Sequence, residues 1–366
     1  MPADLTRPNV EVGEDSTAVT PIADAQTSVF ALVGLTADGP VNQPVKVSSV
    51  EDFVQTFGST SPFEDLSRPV AQYFANGGTS AWIVSAGTSE AGTDIDLIGS
   101  ASDRSGMFAL DAISFNLLSL PPATSPAAHQ AIAQYAEQRR AFAILDLPTD
   151  TRSIADAQAW AAAAPKSANA AAYFPRLVSS AGSNGTTSVA GTNSAAIAGV
   201  YARTDATRGI WKAPAGLMAT IQGCAGVELS LDDQETGMLD PLGLNVIRSF
   251  PAGMCVWGAR TLAGDDSLAS TWKYVPVRRT ALFIEVSLLA GLQWTVFETN
   301  GDQLWATVRS QVQAFMHGLF KQGAFQGLTP SDAYFVDCRG DPAASPVASL
   351  TVGFAPTKPA EFVTIE

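Results

Sequence analysis

Between Asn245 and Arg339, strand and helix signals follow one another with almost no spare chain. Gly253 to Ala259 (GMCVWGA) is a short β-rich run closed by turn residues. Arg278 to Leu292 repeats apolar residues at helical spacing through Leu282, Phe283, Val286 and Leu289. Gln293 to Phe297 (QWTVF) reads as a second strand, and Asn300-Gly301-Asp302 supplies a turn and a helix N-cap. The helix that follows carries Leu304, Trp305, Val308, Val312, Phe315, Met316, Leu319 and Phe320 at spacings of three and four. Tyr334 to Cys338 (YFVDC) closes the block as a third strand. A chain built this way is α/β and needs partners for every face.

At 366 residues it exceeds one ordinary domain and suits two or three packed units. Hydrophobic residues make up 46% and charged residues 15%, so a large core is expected and much of the surface is expected against something else. The net charge of −14 argues against nucleic acid and anionic membranes as partners of the whole surface, since both need a basic footprint. No run of eighteen apolar residues is present, so no direct membrane insertion is expected. The opening MPADLTRPNVEVGED lacks an apolar signal core, and Sec-type export is not expected. Cys224, Cys255 and Cys338 lie far apart with no CxxC, which fits reduced thiols in a cytosolic folding compartment.

Residues 1–27 read as an arm: Val10, Glu11 and Val12 suit an extended strand, while Pro2, Pro8, Gly13 and Pro21 oppose a helix. VFALVGL (Val29 to Leu35) is a buried strand. Ser48 to Phe57 is a helix with Ser49 as its cap, and Leu66 to Ala75 is a second. AWIVS (Ala81 to Ser85) is a strand. The Gly/Ser-rich stretch from Gly87 to Gly106 marks a domain boundary. Beyond it, helices at Ala127–Arg140 and Ser153–Ala164 alternate with strands at Ala141–Leu147 and Ala171–Val178, which implies an α/β layer with parallel pairing. Ser179 to Ser194 is a low-complexity loop. The division expected is 1–27 as N-terminal arm, then 28–100, 101–240 and 241–345 as globular regions, and 346–366 as a C-terminal strand arm.

Candidate chemistry fails in most places. Gly78-Thr79-Ser80-Ala81 resembles the surroundings of a subtilisin nucleophile. That chemistry needs an Asp and a His converging on the Ser, and the two histidines, His129 and His317, both follow Ser80 in the wrong order. Histidine and cysteine spacings match no zinc pattern. Asp232-Asp233 and Asp265-Asp266 lack the alternation of a calcium loop and read as solvated charges. No phosphate-cradling GxxxxGK[ST] or GxGxxG is present, so no cofactor is expected. On the long helix Arg309, Gln313, His317 and Lys321 stand four apart in one polar stripe, open to reading as a solvated face or a docking face.

GVYARTDATRGIWKAPAG, NVIRSF, VWGARTL, WKYVPVRRTALFIE, QWTVFETN, LWATVRSQVQAF, FKQGAFQGLTPSDAYFVDC and VGFAPTKPAEFV fall in order between Gly199 and Val363. Together they resemble the contractile tail sheath family of phage tails, phage-tail-like bacteriocins and extracellular injection systems. The resemblance implies a mixed α/β tail-sheath fold with three parts: a subtilisin-like portion lacking a triad, a C-terminal sheath domain, and extended arms. It implies a non-enzymatic subunit that stacks as six-fold rings around an inner tube and contracts to drive the tube outward. Implied partners are copies of itself, the inner tube protein, and baseplate and terminal cap proteins. Assembly would be cytoplasmic, in a phage tail or a phage-tail-like particle released from the cell. Val10, Glu11 and Val12 at one end, and Thr351, Val352, Phe354, Phe362 and Val363 at the other, are the expected inter-subunit strands. The N-terminal arm departs from the family's Pro-Gly-Val-Tyr, since Asn9, Val10 and Glu11 follow Pro8. The compact length resembles injection-system and bacteriocin sheaths more than larger phage ones. Arg309, Gln313 and Lys321 are the expected contact with the inner tube. Without the resemblance, a subtilisin-like hydrolase and a soluble α/β binding protein are the rival classes.

Overall fold

Runs such as FALVGL and FAIL show no polar alternation, and strands of that kind are stable only with both faces covered. The computed structural model describes residues 21–58, 66–87, 94–121, 123–178, 191–340 and 348–361. The chain divides into a larger unit, Asp24–Val286 with Ala324–Gln326 and the chain from Pro356, and a smaller one, residues through Ala23 with Ser287–Gly323 and Gly327–Ala355.

In chain order the larger unit forms β1 (Phe30–Leu35), β2 (Val45–Val47), α1 (Val50–Phe57), α2 (Ser67–Ala75) and β3 (Ala81–Gly87). Next come α3 (Asp94–Ile98), β4 (Leu117–Ser119), α4 (Pro126–Gln138), β5 (Phe142–Leu145), α5 (Ile154–Ala163) and β6 (Ala170–Phe174). The short β7 (Leu177–Val178) precedes α6 (Ser194–Arg208), and β8 (Gly226–Val227), α7 (Asp233–Leu239), β9 (Asn245–Phe250) and β10 (Gly253–Val256) follow. The chain passes into the smaller unit within α8 (Val275–Gly291). There it forms α9 (Asp302–Lys321), α10 (Pro330–Ala333), β11 (Tyr334–Gly340) and β12 (Ala348–Phe354).

Eight strands make one sheet in the order β10-β9-β6-β5-β4-β1-β3-β2. The six inner strands are parallel, and β2 and β10 close the edges antiparallel. Parallel neighbours require crossovers, and the intervening helices supply them on both faces. Phe30, Leu32, Phe142 and Ile144 point to one face, against Phe53 and Phe57 of α1, Tyr73 of α2 and Ala195–Ala198 of α6. Ala31, Val33, Ala143 and Leu145 point to the other, against Ile132 and Ala136 of α4 and Ala157 and Ala161 of α5. Helix α6 is buried from Ser194 to Ala202. Its Gly199 allows the close crossing with α2, because a Cβ there would sit 2.5 Å from the Tyr73 carbonyl oxygen.

The Ser49 side chain caps α1 by accepting from the Asp52 amide, as the sequence signal implies. Several expectations are corrected. The Gly87–Gly106 stretch is not a break between sheets, since β1 and β3 before it and β4 after it share one sheet. The small residues there mark a connection rather than a boundary. Nor does 241–345 stand together, because β9 pairs with β6 in the large sheet while α9 and β11 belong to the smaller unit. QWTVF is not a strand: Gln293–Thr295 is a single 3-10 turn. Strand propensity needs a neighbouring strand to express itself, and here the Trp294 indole instead donates to Gln311 Oε1 at 3.1 Å.

The C-terminal arm is also corrected in part. Thr351, Val352 and Phe354 lie in β12, which pairs antiparallel with β11 of the same chain from Tyr334↔Phe354 to Gly340↔Ala348. They are not an unpaired donor strand. Val10, Glu11, Val12, Phe362, Val363 and the Ser179–Ser194 loop up to residue 190 lie outside the described residues.

Candidate functional site

The suspected triad does not assemble. His129 is buried in α4 and engages the Asp146 backbone carbonyl through Nε2 at 3.0 Å, with Trp160 edge-on to its ring. Burial lowers its pKa. Ser80 lies just before β3, and its carbonyl accepts from the Tyr73 hydroxyl at 3.0 Å. A serine–aspartate pair exists elsewhere, but inside the core. Asp146 accepts from the Ser194 hydroxyl and from the Asn193 and Ser194 amides at 2.6 and 3.0 Å, while Ser119 donates to Ser194 at 2.6 Å. This set caps the buried start of α6 and offers no open face to a substrate.

Burial pushes the Asp146 carboxyl up to about 6, against the opposing pull of the Ser194 and Asn193 hydrogen bonds. A carboxyl raised above its ordinary 3.8 binds more protons folded than unfolded, so its contribution to stability falls as pH rises from about 4 to 6. The full effect across that window is at most about 3 kcal/mol. Asp146→Asn is expected to flatten this part of the stability–pH profile, measured by urea titration at several pH values. An unchanged slope would show that another group carries it.

The paired acids have structural partners. Asp232 makes a reciprocal capping box with Glu235 at α7, and Asp233 pairs with Arg248. Asp265 caps the following 3-10 turn and pairs with Lys166, while Asp266 pairs with Arg260 and Lys273. No helix among the described residues is long and apolar enough to cross a membrane.

What remains are surfaces suited to other chains. In the smaller unit, α9 buries Trp305, Val308, Val312, Phe315, Met316 and Leu319. The expected stripe divides in two. Arg309 is half-buried and donates to the Cys338 carbonyl on β11 at 2.7 Å, so it stabilises the hairpin. Gln313 and Lys321 are exposed, and His317 is half-buried against Phe320. Among the described residues the β11–β12 hairpin forms a sheet of two strands, so each strand has an outer edge there, which is the geometry that accepts an added strand.

Beyond the hairpin the chain returns to the larger unit. Pro356 bridges Phe325, and the Thr357 hydroxyl donates to the Trp211 carbonyl at 3.3 Å. Glu361 receives both arms of the Arg260 fork at 2.7 and 2.8 Å and the Tyr274 hydroxyl at 3.0 Å. Glu361 is therefore tied to its own chain. Sequence reasoning missed this clamp because its partners are 101 residues apart.

Known proteins align with this architecture. Residues 99–262 match the phage tail sheath protein central domain. Residues 99–262 thus resemble a tail sheath central domain, and the mixed α/β fold of the chain is similar to that of solved contractile sheath subunits. A protein of Pseudomonas aeruginosa (strain UCBPP-PA14), named as a prophage major tail sheath protein, is 29% identical over 358 residues, 87% of this chain and 84% of that protein. A sheath complex of the extracellular contractile injection system PVC, in its contracted state, is 25% identical with a TM-score of 0.78, covering 100% of this chain and 98% of that one. The helical sheath of the anti-feeding prophage, also contracted, is 28% identical with a TM-score of 0.79, covering 98% of each chain. A chain of the six-fold symmetrised anti-feeding prophage baseplate is 27% identical with a TM-score of 0.76, covering 99% and 98%.

Proposed function

We propose that this chain is the structural subunit of a contractile sheath, polymerising as stacked hexameric rings around an inner tube and shortening to drive that tube through a target envelope. The observation that carries this reading is similarity along the whole chain to sheath subunits solved in the contracted state. The six-fold symmetrised baseplate relative supports hexameric rings and contact with a baseplate, and terminal cap proteins complete the partner set. Assembly is cytoplasmic, within a phage tail or a phage-tail-like particle, and the role is non-enzymatic.

The sequence carries no nucleotide-binding motif, so the energy of contraction is stored in subunit contacts. That requires two packings of the same bodies, the extended one kinetically trapped. The donors are the segment around Val10, Glu11 and Val12 and the residues from Phe362 and Val363, seated on the outer edges of a neighbour's β11 and β12. A five-residue strand offers about five backbone hydrogen bonds of roughly 1 kcal/mol each, enough to keep copies linked while they rotate. Negative-stain microscopy of the purified chain tests the reading. Rings or tubes are expected, and a monodisperse small species at every concentration would overturn it.

The exposed Lys321 faces the inner tube in this reading, with Gln313 on the same stripe and Arg309 holding the hairpin. Lys321→Glu is expected to lower co-sedimentation of the inner tube protein about tenfold through charge mismatch, while tube-free polymers form as before. Undiminished co-sedimentation would remove the tube assignment.

A further inference from the structure

The turn between α8 and α9 presents an apolar tip that the fold itself does not use. Phe297 is fully exposed and adopts φ 71°, a left-handed backbone that a bulky side chain rarely takes. Val296 beside it is 63% exposed. The tip is rigid. The Val296 amide donates to the Gln293 carbonyl at 3.3 Å and the Glu298 amide to the Thr295 carbonyl at 3.1 Å. At its two ends the Trp294 indole donates to Gln311 and the Trp305 indole to Asn300. A strained aromatic held outward by this many bonds is preorganised to enter a partner.

The smaller unit also carries a complementary groove. Gln313, Ala314 and His317 of α9 form one wall, and Pro330, Tyr334 and Phe335 form the other, around an open cavity of about 520 Å³. Phe335 is 58% exposed and lies over Gly353, so an aromatic wall is already in place. No Asp, Glu, Lys or Arg lines the groove. The tip is anchored through Trp294 to Gln311 on the buried side of α9, whereas the groove lies along the Gln313 and His317 side, and neither Val296 nor Phe297 lines it.

We infer that the Val296–Phe297 tip inserts into the α9–β11 groove of a second copy of this chain. Tip and groove are different patches on the same unit, so the contact is head-to-tail and propagates into rings or helices rather than closing as a dimer. That outcome suits the helical sheath of the anti-feeding prophage relative, and the inference rests on the sheath reading above. The uncharged character of both patches favours a permanent contact between copies over one that must release.

Phe297→Gly relieves the left-handed backbone, so the subunit's melting temperature is expected to stay the same or rise. The concentration needed for polymerisation is expected to increase about tenfold, as for loss of an interface anchor. In a Cys224→Ser background, Phe297→Cys subunits mixed with His317→Cys subunits are expected to form disulfide-linked heterodimers within the polymer. Polymerisation of Phe297→Gly at wild-type concentration, or failure of the two cysteines to link, would overturn the contact while leaving the sheath reading intact. Normal polymers that lose only the inner tube protein would reassign the tip to the tube and likewise overturn it. A wild-type chain that stays monomeric would overturn both.

Discussion

Arg279→Ala is expected to lower the unfolding free energy by about 3–5 kcal/mol, the cost of leaving a buried charge without its partner. The Arg279 and Asp205 side chains are 3% and 2% exposed, and the guanidinium meets both carboxylate oxygens at 2.9 and 2.7 Å. The Ser28 hydroxyl also donates to Asp205 at 2.9 Å, and Arg279 reaches the Thr27 carbonyl at 2.9 Å. The guanidinium lies 4.8 Å from the Tyr201 ring, whose hydroxyl in turn meets that of Tyr173. One pair thus binds α6, α8 and the lead-in to β1. Arg279→Lys keeps the charge but loses the two-pronged fork, so it should recover only part of the loss. Replacing both partners with apolar residues, as in Arg279→Met with Asp205→Leu, should cost much less than the two single changes summed. Urea denaturation of the four proteins measures the cycle. Additive losses would show that the pair is not coupled.

Removing residues 1–20 is expected to abolish long sheaths while leaving the melting temperature within about 2 °C of the full chain. The cut is placed there for a structural reason. Ile22 is buried and lies against Gly291, where an added Cβ would come within 2.8 Å of its side chain. Thr27 and Ser28 are engaged by the Arg279–Asp205 pair. A deletion to Gln26 would therefore confuse loss of an arm with damage to the fold. Microscopy and thermal melting of the shortened chain together decide the matter. Normal tubes with unchanged melting would remove the N-terminal segment from the mesh, and a large drop in melting would show that it serves the fold.

The sequence was most legible where one residue's neighbours are local or where burial is complete. VFALVGL and AFAILDL announced themselves because parallel strands covered on both faces need no polar alternation. The apolar α9 stripe was equally plain, since six of its residues face the core at helical spacing. QWTVF misled because strand propensity says nothing about whether a partner strand is in reach. The same error hid the exposed tip, since a strand at 293–297 would have buried alternate residues. Thr351–Phe354 looked unpaired because their partner, β11, was itself assigned to another region. The clamps at Arg260 and Arg279 join residues 101 and 74 positions apart, a separation at which side-chain type alone identifies no partner. Of the polar α9 residues, Gln313 and Lys321 are exposed, whereas Arg309 donates to the Cys338 carbonyl inside the unit, a contact the helical spacing does not reveal.

The Glu361 clamp also decides where a pull on the chain end is felt. A strand drawn from its terminus unzips from its neighbour one bond at a time, and β12 would peel from β11 in that way. Tension entering beyond Glu361 instead meets Arg260, whose backbone exchanges hydrogen bonds with the Asn245 side chain at 2.6 and 2.8 Å. Asn245 opens β9, which pairs with β6 inside the large sheet. The load is therefore delivered to the eight-stranded sheet before it reaches the hairpin, and the two-stranded element stays zipped while the end is under strain.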